Sequence, residues 1–290
     1  MRFATLIAAH DKPKQLQLLL DTLLAGNGDD FVVLHLDAKS ELWKNNRGQF
    51  SNHASGRVHV VEDPVAVHWG HRSQVDATAL MLEIALRQGF TLVHHISGVD
   101  WPVAQREEIA AELSALSSPL PAFIDIIGEE QAERMQKYWL RDPIGRTLTG
   151  HAQRYYWGRA FKFAQSQFDH IAQRAYGVRS KPYGPWQKGW SWWSLPYDIA
   201  SRVADELQQN SSRLDRTACP DEHIIPTIVD HLFRDRIQSY RRYIRWSENA
   251  WNPEILVEAD VPAIQASNAW FARKVDMDKD SSIIQAFPKF

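Results

Sequence analysis

Cysteine is almost absent from this sequence, which has Cys219 as its single cysteine in 290 residues. A lone cysteine excludes an internal disulfide and a thiolate-rich zinc site, and it favours a reducing compartment. Long apolar runs are missing too. The N-terminal run 3–9 is too short for a signal peptide, and no stretch approaches the roughly 20 apolar residues of a membrane-spanning helix. The sequence therefore predicts a cytoplasmic protein.

Glycine-rich nucleotide loops are missing as well. The turn after the first predicted strand, Ala9–Pro13, has no glycine that would let a pyrophosphate approach the next helix. The chain also lacks the Gly-x-x-x-x-Gly-Lys-Ser/Thr loop of phosphoryl transfer and the Gly-x-Ser-x-Gly turn of hydrolases. These absences argue against a nicotinamide dehydrogenase, a P-loop enzyme and a serine hydrolase.

Charge is nearly balanced overall but unevenly distributed. The formal net charge is -2, so the whole molecule indicates no polyanionic partner. Between Lys137 and Lys188, however, ten basic residues stand against two acidic ones, and aromatic residues are interleaved with them. This basic segment predicts a surface for a glycan acceptor or for peripheral contact with the inner face of an anionic membrane. Nucleic-acid binding is an alternative that only this feature suggests.

Strand and helix patterns alternate through the first hundred residues. This order predicts an α/β fold with a mostly parallel central sheet flanked by helices. The predicted strands are Phe3–Ala9, Phe31–Leu36, Arg57–Val61, Thr91–Ile96, Ala122–Ile127 and Trp190–Leu195. The predicted helices are 13–26, Val75–Arg87, Glu108–Leu116, Arg159–Ala175, Tyr197–Gln209 and Asp221–Leu232.

Polar side chains follow three of these strands. His10, Asp37 and Asp100 stand just beyond strand ends, and ligands of parallel α/β sheets lie beyond the carboxyl ends of the strands. Each residue also has an ordinary structural interpretation. His10 could be a satisfied polar group, Asp37 a helix cap and Asp100 a brace for its loop.

Eight segments, in order along the chain, carry a family resemblance. On these segments the sequence resembles the core-2/I-branching β-1,6-N-acetylglucosaminyltransferases and the related peptide O-xylosyltransferases. The segments are the strand ending in His10, Leu36–Ser40, Val67–Gly70 with Ser73–Val75, Ile96–Val103, Lys188–Leu195, Cys219–His223, Tyr243–Trp246 and Phe271–Lys274.

This resemblance implies a GT-A-type fold and transfer of a sugar from a UDP-sugar with inversion. The family's donors are N-acetylglucosamine and xylose, and no divalent metal or other cofactor is implied. The chain would be one domain, with residues 1–105 binding the nucleotide sugar and residues 106–290 binding the acceptor. An Asp-x-Asp metal motif is missing from the early strands, and Asp276-Met277-Asp278 lies in the tail.

The resemblance also assigns roles. Glu222 matches the catalytic base, and Lys274 matches the diphosphate-binding lysine, with Arg273 beside it. The family's second basic contact has no clear counterpart in the segment 251–270. Of the acceptor contacts, Trp246 matches directly. The remaining predictions are His10, Asp37, Ser73 and Asp100 for the donor, and Trp192, Trp193, Glu133 and Lys137 for the acceptor.

Structural alternatives accompany these roles. Asp221 and Glu222 could simply be acidic residues at a helix N-terminus. Trp192 and Trp193 could be core residues, and strand alternation lets only one of them face a crevice. The same alternation prevents His94 and His95 from ligating one metal easily. The acceptor would be a surface polysaccharide or a lipid-linked oligosaccharide, and a non-catalytic carbohydrate-binding protein is the alternative function.

Overall fold

The computed structural model describes residues 1–26, 28–139, 171, 174, 175, 177, 183–248, 252–287 and 290. Most of the predicted helix Arg159–Ala175 and most of the basic segment lie outside these residues. The strands are β1 Phe3–Ala9, β2 Phe31–Leu36, β3 Val58–Val60, β4 Leu92–Ser97, β5 Asp100–Pro102, β6 Ala122–Phe123, β7 Ile126–Gly128, β8 Lys188–Gly189, β9 Trp193–Pro196, β10 Ile237–Gln238, β11 Arg242–Ile244 and β12 Phe271–Arg273.

The helices alternate with the strands in the first half of the chain. They are α1 Pro13–Leu23, α2 Glu41–Ser51, α3 Ser73–Gln88, α4 Arg106–Ala115, α5 Glu133–Gln136, α6 Tyr197–Asn210, α7 Ile224–Phe233, α8 Val261–Gln265 and α9 Ser282–Gln285. Short 3-10 turns lie at Ser211–Leu214, Pro220–Glu222, Arg234–Arg236 and Glu258–Asp260. None of the helices in the described part of the chain has the length and apolar character needed to cross a membrane.

The central sheet has seven strands in the order β10-β6-β9-β4-β1-β2-β3. β1 pairs in parallel with β2 and β4, β2 with β3, and β6 with β10, whereas β9 runs antiparallel to β4 and β6. Because β1, β2 and β4 run in the same direction, their carboxyl ends meet at one edge. The predicted α/β architecture, with a mostly parallel sheet, is confirmed.

Two apolar layers enclose this sheet. Along β1, Phe3, Ile7 and Ala9 pack in one cluster, whereas Ala4 and Leu6 pack in the other. The first layer includes buried residues of α1 and α4, and the second includes those of α3, α6 and α7. A strand that is covered on both faces must be apolar at nearly every position, which is why β1 and β2 are continuous apolar runs.

A second sheet, in the order β11-β12-β5, continues from the end of β4. β12 pairs antiparallel with β5, and the register places Arg273 opposite Asp100. The side chains of these two residues form an ion pair, with Nη1 of Arg273 2.9 Å from Oδ1 of Asp100. Pairing with a late strand therefore brings the predicted donor-binding arginine to the carboxyl edge of the central sheet.

Some predicted elements differ from the structure. Ala122–Ile127 is two short strands, and α2 was not predicted because it buries only Leu42 and Phe50. The predicted helix Asp221–Leu232 is a 3-10 turn at Pro220–Glu222 followed by α7. A left-handed Cys219, at φ 47°, starts the turn, and the interruption at His223 lets Pro226 lie in the first helical turn, where a missing N–H costs least.

We expect Gly189→Ala to destabilise the protein strongly. A Cβ on Gly189 would lie 2.3 Å from the carbonyl oxygen of Asp125 and 2.9 Å from Cγ of Pro226. Overpacking against backbone should lower the free energy of unfolding by roughly 3 kcal/mol, measured by urea denaturation. Gly48→Ala is the matched control, since no atom lies within 4 Å of its added Cβ. Equal stabilities of the two variants would contradict the close packing at Gly189.

Candidate active site

The carboxyl ends of β1, β2 and β4 bring three loops together. The amide of Asp37 donates to the carbonyl of Ala9 at 2.9 Å, and the amide of Gly98 donates to the carbonyl of Ala8 at 3.2 Å. A Cβ on Gly98 would lie 3.1 Å from Cβ of Ala9, so glycine allows the β4 loop to approach β1 closely. His10 extends from this edge into solvent.

Asp37 and Ser73 shape this edge through bonds within the chain. Oδ1 of Asp37 accepts from the amides of Lys39 at 3.1 Å and Val67 at 3.2 Å, and Oδ2 pairs with the Lys39 ammonium. Ser73 is buried, and its Oγ accepts from the amide of His68 at 2.9 Å. Both side chains hold the segment after β3 in place, and direct contact with the donor remains a prediction for each.

Arg273 is fixed in position on three sides. Its Nη1 donates to Oγ of Ser97 at 2.7 Å as well as to Asp100, and its guanidinium lies 4.0 Å from the ring centroid of Trp192. Asp100 is buried and also accepts from the amide of Ser97. Within the described part of the chain, Nε and Nη2 of Arg273 have no hydrogen-bond partner. They stay available to an anionic ligand.

Lys274 follows directly and is held by its backbone. Its carbonyl accepts from the amide of Leu256 at 2.8 Å, and its amide donates to the carbonyl of Glu254 at 3.4 Å. The side chain is half-buried, and its ammonium has no hydrogen-bond or ion-pair partner among residues that the structure describes. Two adjacent cations therefore lie where β12 ends.

The Asp-x-Asp motif of the tail is paired with a lysine from α1's N-terminal side. Lys12 pairs with Asp276, and its Nζ lies 3.2 Å from Oδ2 of Asp278. The hydrogen bond from Lys12 holds the pKa of Asp276 below its ordinary value. Across the described ranges, no group of three or more His, Cys, Asp or Glu side chains is arranged to hold a metal ion.

Glu222 lies in the 3-10 turn before α7 and is partly open to solvent. Its Oε2 is 2.7 Å from Nη1 of Arg134, and its amide donates to the carbonyl of Cys219 at 3.2 Å. The neighbouring Asp221 accepts from Oγ of Ser191 at 2.7 Å. Both acids lie in the 3-10 turn that precedes α7, as the helix N-terminal interpretation expects, but Asp221 makes no side-chain cap of α7.

A chain of contacts joins this turn to the cation pair. Ser191, which bonds Asp221, also accepts from Nδ1 of His95 through its carbonyl at 2.6 Å. His95 is stacked between Trp192 at 5.5 Å and Trp193 at 4.9 Å. Burial lowers the pKa of His95 to about 4, so the ring is neutral at physiological pH. Since the guanidinium of Arg273 lies against the ring of Trp192, the acid and the cations belong to one connected site.

The predicted acceptor residues separate into different environments. Trp193 is 1% exposed and lies in the core, so it has no surface for a sugar, whereas Trp192 faces Arg273. Trp246 is 39% exposed and stacks on Trp190 at 5.3 Å. Glu133 and Lys137 are both exposed around α5, beside the arginine that pairs with Glu222.

Three residues near Glu222 were missed by the sequence analysis. Trp69 is 77% exposed, which is unusual for an indole, and Gly70 beside it accepts from the amide of Cys219 at 2.7 Å. Gln74 donates to Asp221 at 3.2 Å. Trp69 and Gln74 lie in segments that match the family, so position in a motif was a usable signal. The basic residues of the segment 140–170 lie outside the described residues.

An exposed acid connected to fixed cations at the carboxyl edge of a parallel sheet suits the transfer of a group from a nucleotide diphosphate. In class, the chain is a glycosyltransferase with an α/β fold. Residues 3–265 match the sequence family described as Branch, Core-2/I-Branching enzyme, and the chain belongs to this family.

Several solved structures match this chain at low sequence identity. Mouse xyloside xylosyltransferase 1 in its apo form is 12% identical, with 94% of this chain and 97% of that chain covered and a TM-score of 0.40. Galactosyltransferase LgtC, in complex with donor and acceptor sugar analogs, is 8% identical, with 99% and 96% covered and a TM-score of 0.42. The 1–349 fragment of S. aureus TarS with UDP-GlcNAc is 12% identical, with a TM-score of 0.30.

The match to TarS is partial, since it covers 48% of this chain and 44% of the TarS fragment. The full TarS structure is matched over 19% of its length. No curated protein matches the sequence.

Proposed function

We propose that this protein is a metal-independent, inverting glycosyltransferase that moves a sugar from a UDP-sugar to a hydroxyl of a glycan. The observation that carries this proposal is the connected site: Glu222 is joined, through Asp221, Ser191 and Trp192, to the cation Arg273. The proposed donor sugar is N-acetylglucosamine or xylose. The proposed acceptor is a surface polysaccharide or a lipid-linked oligosaccharide.

In this mechanism Glu222 is the general base. An inverting transfer is a single displacement, in which the acceptor oxygen bonds to the anomeric carbon while the bond to UDP breaks. The base takes the proton of the acceptor hydroxyl. Glu222 suits this role because its carboxylate is partly exposed at the site and Nη1 of Arg134, 2.7 Å from Oε2, holds it in position.

Lys274 and Arg273 would stabilise the leaving UDP. Negative charge develops on the diphosphate as the bond breaks, and fixed cations next to it lower the barrier. The ammonium of Lys274 and two donors of Arg273 have no partner in the described ranges. The Asp-x-Asp motif supports a metal-independent site because the Lys12 ammonium already contacts both of its carboxylates.

Exposed tryptophans would hold the sugars. An indole face packs on the C–H face of a sugar while the side chain stays partly in water. Trp246, stacked on Trp190, is the proposed acceptor platform, and Trp69 lies next to the turn of Glu222. His10, Asp37, Ser73 and Asp100 are assigned to the donor side, and Glu133 and Lys137 to the acceptor side.

The test is a screen of purified full-length protein against UDP-sugars, with and without EDTA. Thermal shift measures binding, and release of UDP measures transfer to oligosaccharide acceptors. We expect UDP-N-acetylglucosamine or UDP-xylose to raise the melting temperature and EDTA to leave both readouts unchanged. A strict requirement for a divalent cation would contradict the role of Lys274. Acceptor binding without any UDP release would instead indicate a carbohydrate-binding protein.

A further inference from the structure

The carboxylate of Asp221 is buried and only half satisfied. Its Oδ2 accepts from Oγ of Ser191 at 2.7 Å and from Nε2 of Gln74 at 3.2 Å. Its Oδ1 is buried with no hydrogen-bond partner in the described chain. A buried carboxylate oxygen without a partner is costly, so a protein keeps one only where another benefit offsets the cost. Because Oδ1 is shielded, it does not contact a substrate.

On the donor side, Asp221 fixes the segment that carries the tryptophan under Arg273. The serine that donates to Asp221 immediately precedes Trp192, and the carbonyl of Ser191 holds the ring of His95. Trp192 stacks on that ring and lies beneath the guanidinium of Arg273. Asp221 is therefore linked to the donor cation through Ser191 and Trp192.

On the other side, Asp221 closes the segment 69–74 onto the catalytic turn. Gln74 donates to Asp221 through Nε2, and its Oε1 accepts from the amide of Gly70 at 2.5 Å. The carbonyl of Gly70 accepts in turn from the amide of Cys219. A Cβ on Gly70 would lie 3.2 Å from Sγ of Cys219, so the two segments are already in close contact.

We propose that Asp221 is a positioning residue, whose bonds to Ser191 and Gln74 set the place of the Glu222 carboxylate relative to the donor cations. Asp221 and Glu222 are adjacent in one 3-10 turn, so the anchor of the first fixes the backbone of the second. Arg134 gives Glu222 its one side-chain ion pair in the described chain, and it approaches from a different segment. The inference rests on the proposed role of Glu222 as base.

The surroundings of Asp221 also make it titrate unusually. Burial and, after it, the charge of the adjacent Glu222 carboxylate raise its pKa to about 6, and the bond from Ser191 and the charge of Arg134 oppose this rise. Two more titratable groups surround this turn. Lys188 is a cation near Cys219, and burial raises the pKa of the Cys219 thiol to about 12. His95 and His223, both with a pKa of about 4, are neutral at physiological pH.

The sign of the resulting stability change follows from this shift. The folded pKa of Asp221 lies above the unfolded value of about 4. Ionisation therefore costs stability as pH rises between about 4 and 6, and the cost persists above that range. An asparagine keeps an acceptor oxygen for Ser191 and Gln74 and does not titrate. The melting temperature of Asp221→Asn should therefore rise relative to wild type between pH 4.5 and pH 7, by roughly 2 to 4 °C.

The experiment compares Asp221→Ala, Asp221→Asn and Ser191→Ala in the full chain. Asp205→Asn, an exposed aspartate of α6, is the matched control. We expect Asp221→Ala to lower kcat for the UDP-sugar found in the screen by about 10²-fold, as displacement of a base by about 1 Å does. KM and the Kd of UDP should change less than about threefold, since Ser97 and Asp100 still hold Arg273. Asp221→Asn should keep kcat within about fivefold of wild type.

Hydrogen exchange gives a readout that is independent of activity. Asp221→Ala should speed amide exchange in peptides covering 69–74, 188–195 and 219–224. The control Asp205→Asn should leave exchange unchanged in all three peptides. If Asp221→Ala does not fold, Ser191→Ala carries the same prediction with a smaller effect, about tenfold in kcat.

Several outcomes would overturn the proposal. Loss of turnover in Asp221→Asn as complete as in Glu222→Gln would make Asp221 the base. Unchanged exchange in the three peptides, with wild-type kcat in Asp221→Ala, would leave Asp221 without a positioning role. A wild-type protein that uses no UDP-sugar would contradict the proposed function instead, and the exchange data would still decide whether Asp221 organises the turn.

Discussion

Glu222→Gln is expected to lower the rate of sugar transfer by about 10³-fold while UDP still binds. A general base contributes roughly 10²- to 10⁴-fold to such a reaction, and an amide of the same shape accepts no proton. The substitution keeps the size of the side chain and a carbonyl oxygen for Nη1 of Arg134, which now lies 2.7 Å from Oε2. The loss should therefore appear in kcat, with little change in KM for the donor.

The assay follows UDP release in the presence of the accepted glycan, with UDP affinity measured by calorimetry. Glu62→Gln is the matched control, because Glu62 is an exposed glutamate far along the chain from the catalytic turn. We expect this control to match wild type. Retention of more than about a tenth of the wild-type kcat in Glu222→Gln would assign the base to another residue.

Glu222→Gln also separates the two candidate functions. A carbohydrate-binding protein would bind its glycan equally well as wild type and Glu222→Gln, and neither would release UDP. A transferase loses turnover selectively. Wild type therefore has to be assayed for transfer and for glycan binding in the same experiment.

The strands at the centre of the fold follow directly from the sequence. Phe3–Ala9 and Phe31–Leu36 are observed at their predicted bounds. Both are covered by apolar layers on two faces, so nearly every position is apolar, with Thr5 and His35 as the exceptions, and the pattern predicted buried strands. α2 gave no comparable signal, because its exposed face makes most of its residues polar.

The conformation around the proposed base depends on distant contacts. The apolar run of α7 extends the helical pattern back towards Asp221, and Pro226 is the one local signal against a helix that starts there. In the folded chain, Cys219 adopts a left-handed conformation and its amide bonds the carbonyl of Gly70, some 150 residues away in sequence. With this contact in place, α7 starts only at Ile224, and Glu222 stays in the 3-10 turn before it. A tertiary contact of this kind has no signature in local periodicity.

The site residues, too, could be predicted from the sequence only in part. Alternation predicted that one of Trp192 and Trp193 faces the crevice, but it could not choose between them. The choice depends on where β9 starts, at Trp193, and on the Arg273 guanidinium that occupies the face of Trp192. The contact of Arg134 with Glu222 joins residues 88 positions apart. The family motifs thus identified which segments form the site, and the three-dimensional structure determined which side chains meet.

Lys274→Met is expected to lower kcat/KM by about 10²-fold and to weaken UDP binding roughly tenfold. The ammonium has no partner in the described part of the chain, so its charge is available to the diphosphate. Methionine keeps most of the aliphatic stem, and the backbone bonds of Lys274 to Glu254 and Leu256 do not depend on the side chain. The loss should thus reflect charge rather than folding.

Both kcat and donor binding should fall, because a cation beside the diphosphate interacts with the bound donor and more strongly with the departing UDP. Lys274→Arg should recover part of kcat, since the charge is retained with a different shape. Lys14→Met, a substitution of an exposed lysine in α1, is the matched control. Equal UDP affinity in Lys274→Met and wild type would exclude Lys274 from the diphosphate site.

Salt provides an independent check of the same charge. An attraction between a partly exposed ammonium and a diphosphate is screened by ions, with a Debye length of about 10 Å at 0.1 M. Raising the salt concentration should therefore weaken UDP binding more in wild type than in Lys274→Met. Arg273 remains in the variant and keeps part of the salt dependence of UDP binding, because Asp100 pairs only with Nη1 of its guanidinium. Identical salt dependence in the two proteins would mean that the cation acting on UDP is not Lys274.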